Sequence, residues 1–439
     1  MTATKETTSY WQEALETISR SELEKLQTER LRQTIEQAGR SAFYDQVFKT
    51  HGLSSASVRS LDDLQQFPFT AKDDLRAAYP YGMAAIPLQK CVRVHSSSGT
   101  TGNPTVVLHS QQDLDEWANQ VARCMYMVGL RDTDVFQNTS GYGMFTGGLG
   151  FQYGAERLGA LTVPAAAGNS KRQIKFITDF GTTCLHIIPS YATRLAEVFR
   201  ELGIDPRRDT RLHTICIGAE PHSEEQRRRI EHLLGVKAYN CFGMSEMNGP
   251  GVAFECPEQN GLHIWEDYVV VEIVHPETLR PVAGGEIGEL VLTTLRREAM
   301  PLIRYRTRDL TRFLPGDCPC GRTHRRIDRL KGRSDDMIIL KGVNIFPVQV
   351  EKVLMSFGEL GGNYLITLET VGNNDEMLVE VELDGLHTDN YGALQRLTRD
   401  IVRQLKDELL ITPHLKLVAR GSLPVQQGKA VRVKDLRKL

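Results

Sequence analysis

The chain has 439 residues, 41% hydrophobic and 25% charged, with a formal net charge of −2. That length exceeds one simple core and, at about 150 residues per domain, points to two or three units. The balanced charge gives no reason to expect nucleic acid or an anionic membrane as partner. No apolar run approaches the ~18 residues of a membrane span.

The polar start, Met1 to Tyr10, lacks an apolar signal region. Eight cysteines spread over a chain without such a signal imply reduced thiols. The expected location is therefore the cytoplasm. Between about 10 and 40, Leu15, Ile18, Leu23, Leu26, Leu31 and Ile35 recur at helical spacing and predict surface helices. Further on, Ser96, Ser97, Ser98, Gly99, Thr100, Thr101 and Gly102 concentrate hydroxyls and glycines ahead of the apolar Val106, Val107 and Leu108. Glycine lets backbone approach a ligand, and hydroxyls with bare N–H groups bind anionic oxygens, so this loop suits a phosphate chain. It differs from the ordinary P-loop, which needs a Lys after its second glycine. Tyr142 and Phe145, in a glycine-rich stretch at 141–148, are candidates for an apolar pocket, with packing as the equal alternative.

From about 90 to 250, short β-rich runs alternate with amphipathic helical stretches. Residues 212–218 predict a buried strand ending at Gly218. Ser223 and Gln226 offer a capping box for a helix to about Leu234, and 236–242 predict a second strand ending at Gly243. Such alternation implies an open, mostly parallel sheet whose ligand site lies beyond the carboxyl ends of its strands. Residues 264–274 and 286–295 read as antiparallel strands, a β subdomain.

Two pairs of candidate metal ligands stand near these strands. Cys256 and His263 flank a turn, and Cys318 and Cys320 sit in a Gly/Pro-rich loop. Three thiols and one imidazole make a closed set of the kind that holds structural Zn²⁺, with His324 as substitute fourth ligand. The alternative is unrelated free thiols and a surface histidine.

After Arg326 the character changes. A short charged stretch, 332–336, precedes a compact α+β pattern: strand 337–341, helix 347–357, strands 363–370 and 376–383, helix 389–410, strand 414–419. The fold class is thus α/β. A large N-terminal domain (1–332) has mostly parallel sheets and helices plus a β subdomain, and a small α+β C-terminal domain (333–439) follows.

Five segments in order carry the functional signal: the loop at 96–102, then 218–221, 239–246, 304–309 with 332–336, and 423–429. Their order resembles the adenylate-forming superfamily of acyl-CoA synthetases. The segments 218–221, 249–253, 261–264, 304–309 and 332–337 look like its phenylacetate–CoA ligase branch. The resemblance runs from about residue 8 to the C-terminus. It implies that a carboxylate attacks the α-phosphate of ATP to give an acyl-adenylate and pyrophosphate, after which the thiol of coenzyme A displaces AMP. An anion attacking a polyanion needs neutralising charge aimed at the reacting phosphate.

By that resemblance Lys429 is the catalytic lysine and Glu246 a ligand of Mg²⁺. Ser97 to Gly102 hold phosphate. Gly218, Ala219, Glu220 and Pro221 enclose adenine together with Asn240, Cys241 and Phe242, and Gly243, Met244 and Ser245 continue that wall. Asp309 accepts from the ribose hydroxyls with help from Arg333. Asp335 is the hinge of a mobile C-terminal lid, and Lys341 and Gly342 follow on the loop of the CoA step. Two departures stand out: Phe242 replaces a tyrosine common in relatives, and Asn103 a lysine. The implied partners are ATP, CoA and a small aromatic carboxylic acid, with a homodimer left open. The competing readings are an adenylating enzyme serving a carrier protein or amine, and a nucleotide-binding regulator without catalysis.

Overall fold

The computed structural model describes residues 9–96, 103–144, 146–371, 374–385, 391–424 and 430–437. Contacts divide the chain into two units, residues 1–166 with 239–329 and residues 167–238 with 330–439. Among the described residues no helix is long and apolar enough to cross a membrane.

The first unit opens with helices that follow the expected periodicity. Arg20–Ala38, capped by Ser19, buries Leu23, Gln27, Leu31, Thr34, Ile35 and Ala38 along one face. Ser41 caps Ala42–His51, and Gly52 ends it in the left-handed conformation. An antiparallel hairpin, Arg93–Ser96 with Val106–His109, flanks the hydroxyl-rich loop. Helix Gln111–Met127 follows, closed at its start by a reciprocal Ser110–Asp113 box. It packs on helix Thr146–Leu158, where Gly150 and Gly154 permit the approach: a Cβ there would stand 2.4 Å from Trp117 and 2.5 Å from Val121. Val135–Asn138 and Leu161–Val163 run parallel.

The β subdomain is antiparallel, as its alternating pattern predicts. Lys237–Met244 pairs with Gly249–Glu255, which pairs with Leu262–Ile264. That strand pairs with Arg326–Ile327, and Arg326–Ile327 with Phe313–Leu314. A second group pairs Val269–Val274, Gly288–Thr294 and Tyr305–Thr311 in that order. The run 264–274 is therefore two strands, Leu262–Ile264 and Val269–Val274. Between them the amides of Tyr268 and Val269 both bond to the Trp265 carbonyl, forming a turn.

In the second unit, Cys184–Ile187 and Thr214–Gly218 form a parallel pair. Helices Ser170–Asp179, Pro189–Glu201 and Glu224–Leu234 supply its core, including Ile177, Leu195, Phe199 and Ile230. Ser223 caps the last helix by accepting from the Gln226 amide. The Gln226 side chain, however, donates to Thr193 Oγ1 rather than returning to the cap. The C-terminal part of this unit has the expected α+β plan. Its sheet runs His414–Val418, Asn374–Leu383, Leu360–Val371, Val433–Asp435. Residues of helices Pro347–Met355 and Tyr391–Leu409, among them Leu354, Ile401 and Leu405, share a core with Ile366, Val379 and Val381.

Candidate active site and metal centre

The candidate nucleotide segments 218–221 and 243–246 sit at strand ends. Gly218 closes a fully buried strand, and Ala219 takes φ 66°, a left-handed step that turns the chain sharply before Glu220 and Pro221. The Glu220 carboxylate accepts from Ser190 N–H at 3.1 Å and from Ser190 Oγ at 2.9 Å.

In the first unit, the Asn240 amide donates to Glu255 at 2.7 Å, and Cys241 and Phe242 are buried opposite Phe254 and Ala253. Gly243 sits at an irregularity in that register, where a Cβ would fall 2.1 Å from the Gly249 carbonyl. Met244 ends the strand, and Ser245 meets Thr146 hydroxyl to hydroxyl at 3.1 Å.

Glu246 is buried on the short helical turn Ser245–Met247. Tyr305 donates its hydroxyl to Glu246 Oε1 at 3.3 Å, and Arg297 grips the Glu246 carbonyl at 2.6 Å. Tyr305 and Asp309 share the strand Tyr305–Thr311, so two buried carboxylates are registered to one element. On or beside it, Arg304 pairs with Glu272 at 2.8 Å, and Arg306 and Arg308 approach Glu289 at 2.6 and 3.8 Å. Arg297 was not legible as a site residue, because nothing near it in sequence marks a contact with residue 246. Tyr305 stood inside a quoted motif.

In the second unit, Arg333 makes a two-pronged pair with Asp335, both bonds 2.8 Å. Lys341 and Gly342, with φ 52° and 79°, form the two-residue turn between Ile338–Leu340 and Val343–Ile345. Positive φ at both turn positions is what a tight hairpin requires. Ser97, Ser98, Gly99, Thr100, Thr101, Gly102, Phe145 and Lys429 lie outside the described residues.

Around the candidate acyl loop, Asn138 donates to Tyr142 Oη at 3.1 Å and to the Gly148 carbonyl at 2.7 Å. The Met144 carbonyl lies 3.0 Å from His95 Nδ1 and accepts the Ser96 amide at 3.1 Å. Sequence reasoning missed His95 and Asn138, since both bonds join segments with no shared motif.

The ligand atoms of Cys256, His263, Cys318 and Cys320 all lie within 4.8 Å of one another. Cys256 Sγ is 3.6 Å from Cys318 Sγ, and Cys320 Sγ is 3.2 Å from His263 Nε2. Strand register explains the meeting. His263 stands opposite Arg326, so the loop that precedes Arg326 and carries both cysteines folds over the imidazole. His263 Nδ1 faces the His324 carbonyl at 2.9 Å, which fixes the ring with Nε2 toward the thiols. His324 is committed elsewhere: its Nδ1 accepts from the Glu266 amide and its Nε2 faces the Leu15 carbonyl.

Burial alone would depress His263, but hydrogen bonds to Cys318 and Cys320 overcome it and lift the imidazole to about 9. Contact with Cys256, then His263, draws the Cys320 thiol far down.

Ion pairs are made by residues close in sequence to these ligands. Arg123 and Asp267, both without exposed side-chain surface, pair at 2.8 Å, while Glu266 takes Arg20 and Arg325. Glu16 takes Arg322 at 2.7 Å.

The sequence pattern of AMP-binding enzymes matches residues 25–295, and that of the AMP-binding enzyme C-terminal domain matches 342–437. The phenylacetate-coenzyme A ligase of Escherichia coli (strain K12) is 44% identical over 97% of this chain and 97% of its own. That of Thermus thermophilus is 42% identical over 98% and 100%. A crystal structure of 2-hydroxyisobutyryl-CoA ligase in the postadenylation state matches with a TM-score of 0.92 and 30% identity, over 98% of this chain and 92% of that one. With near-complete coverage on both sides and the site segments in order, the chain belongs to the AMP-binding enzymes, in the family of the phenylacetate–coenzyme A ligases.

Proposed function

We propose that this enzyme activates an arylacetic-type acid, phenylacetic acid being the first choice, with ATP and transfers the acyl group to coenzyme A. The products are the thioester, AMP and pyrophosphate. The observation that supports it best is the pair of buried carboxylates registered to one strand. Glu246 is hydrogen-bonded to Tyr305, and Asp309 lies four positions further along the same strand.

In this reading the Glu246 carboxylate suits a hard cation such as Mg²⁺, which favours carboxylate and phosphate oxygens. Bound there, Mg²⁺ would supply neutralising charge to the triphosphate. Asp309 holds the ribose hydroxyls, Arg333 assists, and Lys429 stabilises the charge that develops at the α-phosphate. Asn240, Cys241 and Phe242 wall the adenine, and Tyr142 borders the acid. Residues 333–439 act as a domain that turns about Asp335 between the half-reactions, bringing Lys341 and Gly342 to the CoA step.

The Cys/His set holds a structural Zn²⁺. Tetrahedral bonds of about 2.3 Å to sulfur and 2.0–2.1 Å to nitrogen imply ligand separations near 3.6–3.8 Å. The 3.6 Å contact between Cys256 and Cys318 lies in that range, and the 3.2 Å contact between Cys320 and His263 would open slightly around an ion. Four protein ligands leave no open position, so the ion's part is to fix the loops.

A panel of aromatic acids with ATP, Mg²⁺ and CoA, reading AMP and thioester together, tests the function. AMP without thioester would favour a carrier protein or amine as acceptor. Lys429→Ala should slow acyl-adenylate formation ~10²-fold or more and spare thioester formation from supplied acyl-adenylate.

A further inference from the structure

Glu220 belongs to the segment read as an adenine wall, yet its carboxylate is engaged elsewhere. Besides its two bonds to Ser190, Oε1 accepts the backbone N–H of Ala430 at 2.7 Å. Ala430 is the residue directly after Lys429. Ser190 stands in the first turn of the thirteen-residue helix Pro189–Glu201, where free amides and the helix dipole favour a carboxylate. The left-handed Ala219 provides the turn just before it. All three bonds are charge-assisted, roughly twice as strong as neutral ones.

A second carboxylate joins the same segment to the C-terminal residues. Glu351 is buried, accepts the Ser223 amide at 2.8 Å, and meets the Tyr364 hydroxyl at 3.2 Å. Residues 220–223 are thus bound twice to the part of the chain that carries Lys429.

We propose that Glu220 is a positioning residue: its carboxylate docks the backbone at Ala430 and so sets where Lys429 is presented during adenylation. This rests on the reading of Lys429 given above. A backbone anchored one residue away restricts the lysine's reach, and restricted reach converts directly into rate for a group that must meet developing charge.

The test uses the full-length enzyme with ATP, Mg²⁺ and the best acid of the panel, and separately with supplied acyl-adenylate and CoA. Glu220→Ala should slow single-turnover adenylate formation by ~10-fold, leaving the KM for ATP and the thioester step within about twofold of wild type. Glu220→Gln keeps a neutral acceptor and should lose less; it also carries the test if Glu220→Ala fails to fold. In a Lys429→Ala background, adding Glu220→Ala should cost nothing further, because the carboxylate acts through the lysine.

A raised KM for ATP with kcat retained would return Glu220 to the nucleotide wall and overturn the proposal. Equal loss in both half-reactions, or wild-type rates throughout, would overturn it too. If Lys429→Ala alone adenylates normally, the lysine reading itself fails and takes this inference with it. A defective Lys429→Ala beside a normal Glu220→Ala removes only the docking role.

Discussion

Asp267 and Glu351 are two buried carboxylates that respond oppositely to burial. At Asp267, burial pushes the carboxyl up, but the Arg123 guanidinium at 2.8 Å, helped by His324 and Arg30, leaves it below its usual value. At Glu351, burial pushes the same way and wins. Its hydrogen bonds come from a neutral amide and a neutral hydroxyl, and Arg432 acts only as a more distant charge. Burial therefore does not decide the charge state of an interior acid; a cation in direct contact does. The first region is knit by ion pairs, whereas the second joins two segments through weaker, neutral donors.

The largest effect should come from breaking the first arrangement. Arg123→Ala leaves Asp267 buried without its main counter-charge, and denaturant unfolding should show a loss of about 3–5 kcal/mol. Next, Cys318→Ser should abolish stoichiometric zinc in metal analysis and cost roughly 3 kcal/mol, a fall in Tm of about 6–12 °C. Full zinc retention in that variant would remove the metal assignment.

The mildest change is Glu351→Gln, which keeps shape and an acceptor for the Ser223 amide and should shift stability by no more than about 1 kcal/mol. Its signature is in pH. A raised folded pKa means that the contribution of Glu351 is complete below the usual 4.5 and is lost as pH rises through the folded value. The variant should lack that loss on going toward neutral pH. Asp267 has the opposite sign: its contribution is present above the usual 3.8 and disappears in acid, so Asp267→Asn should flatten the acid limb instead. Denaturation curves for both variants across pH would show whether the two sites differ in this way.

The same contrast marks what sequence could reveal. The buried strand ending at Gly218 and the helix after Ser223 were legible because local pattern and capping chemistry agree. Gly249–Glu255 was missed as a strand. Its glycines and Pro250 are poor strand formers, and burial of every residue leaves no alternation to detect. Tyr305–Thr311 was hidden by its arginines, of which Arg306 pairs with Glu289 on the neighbouring strand Gly288–Thr294. That Cys256, His263, Cys318 and Cys320 come together was legible because three thiols and one imidazole form a set few other residue types could make. The choice of His263 over His324 was decided only by strand register and by the partners of each ring. The bond from Ala430 to Glu220 spans 210 positions, and no local signal could announce it.

The N-terminal segment has one further consequence, for the order in which the protein is made. Tyr10 donates its hydroxyl to the Cys320 carbonyl, 310 residues away, and the Glu16 carbonyl accepts the amide of Thr323. A ribosome adding about 5–20 residues per second needs about 15–60 s to supply those partners. Glu13–Glu16 is a single turn, far too short to hold its shape alone in the meantime. Trp11 and Gln12 meet partners on Asn119 and Arg123 far sooner. The earliest described part of the chain to leave the ribosome can therefore dock in part at first, and completes its contacts only once residues 320–323 are made.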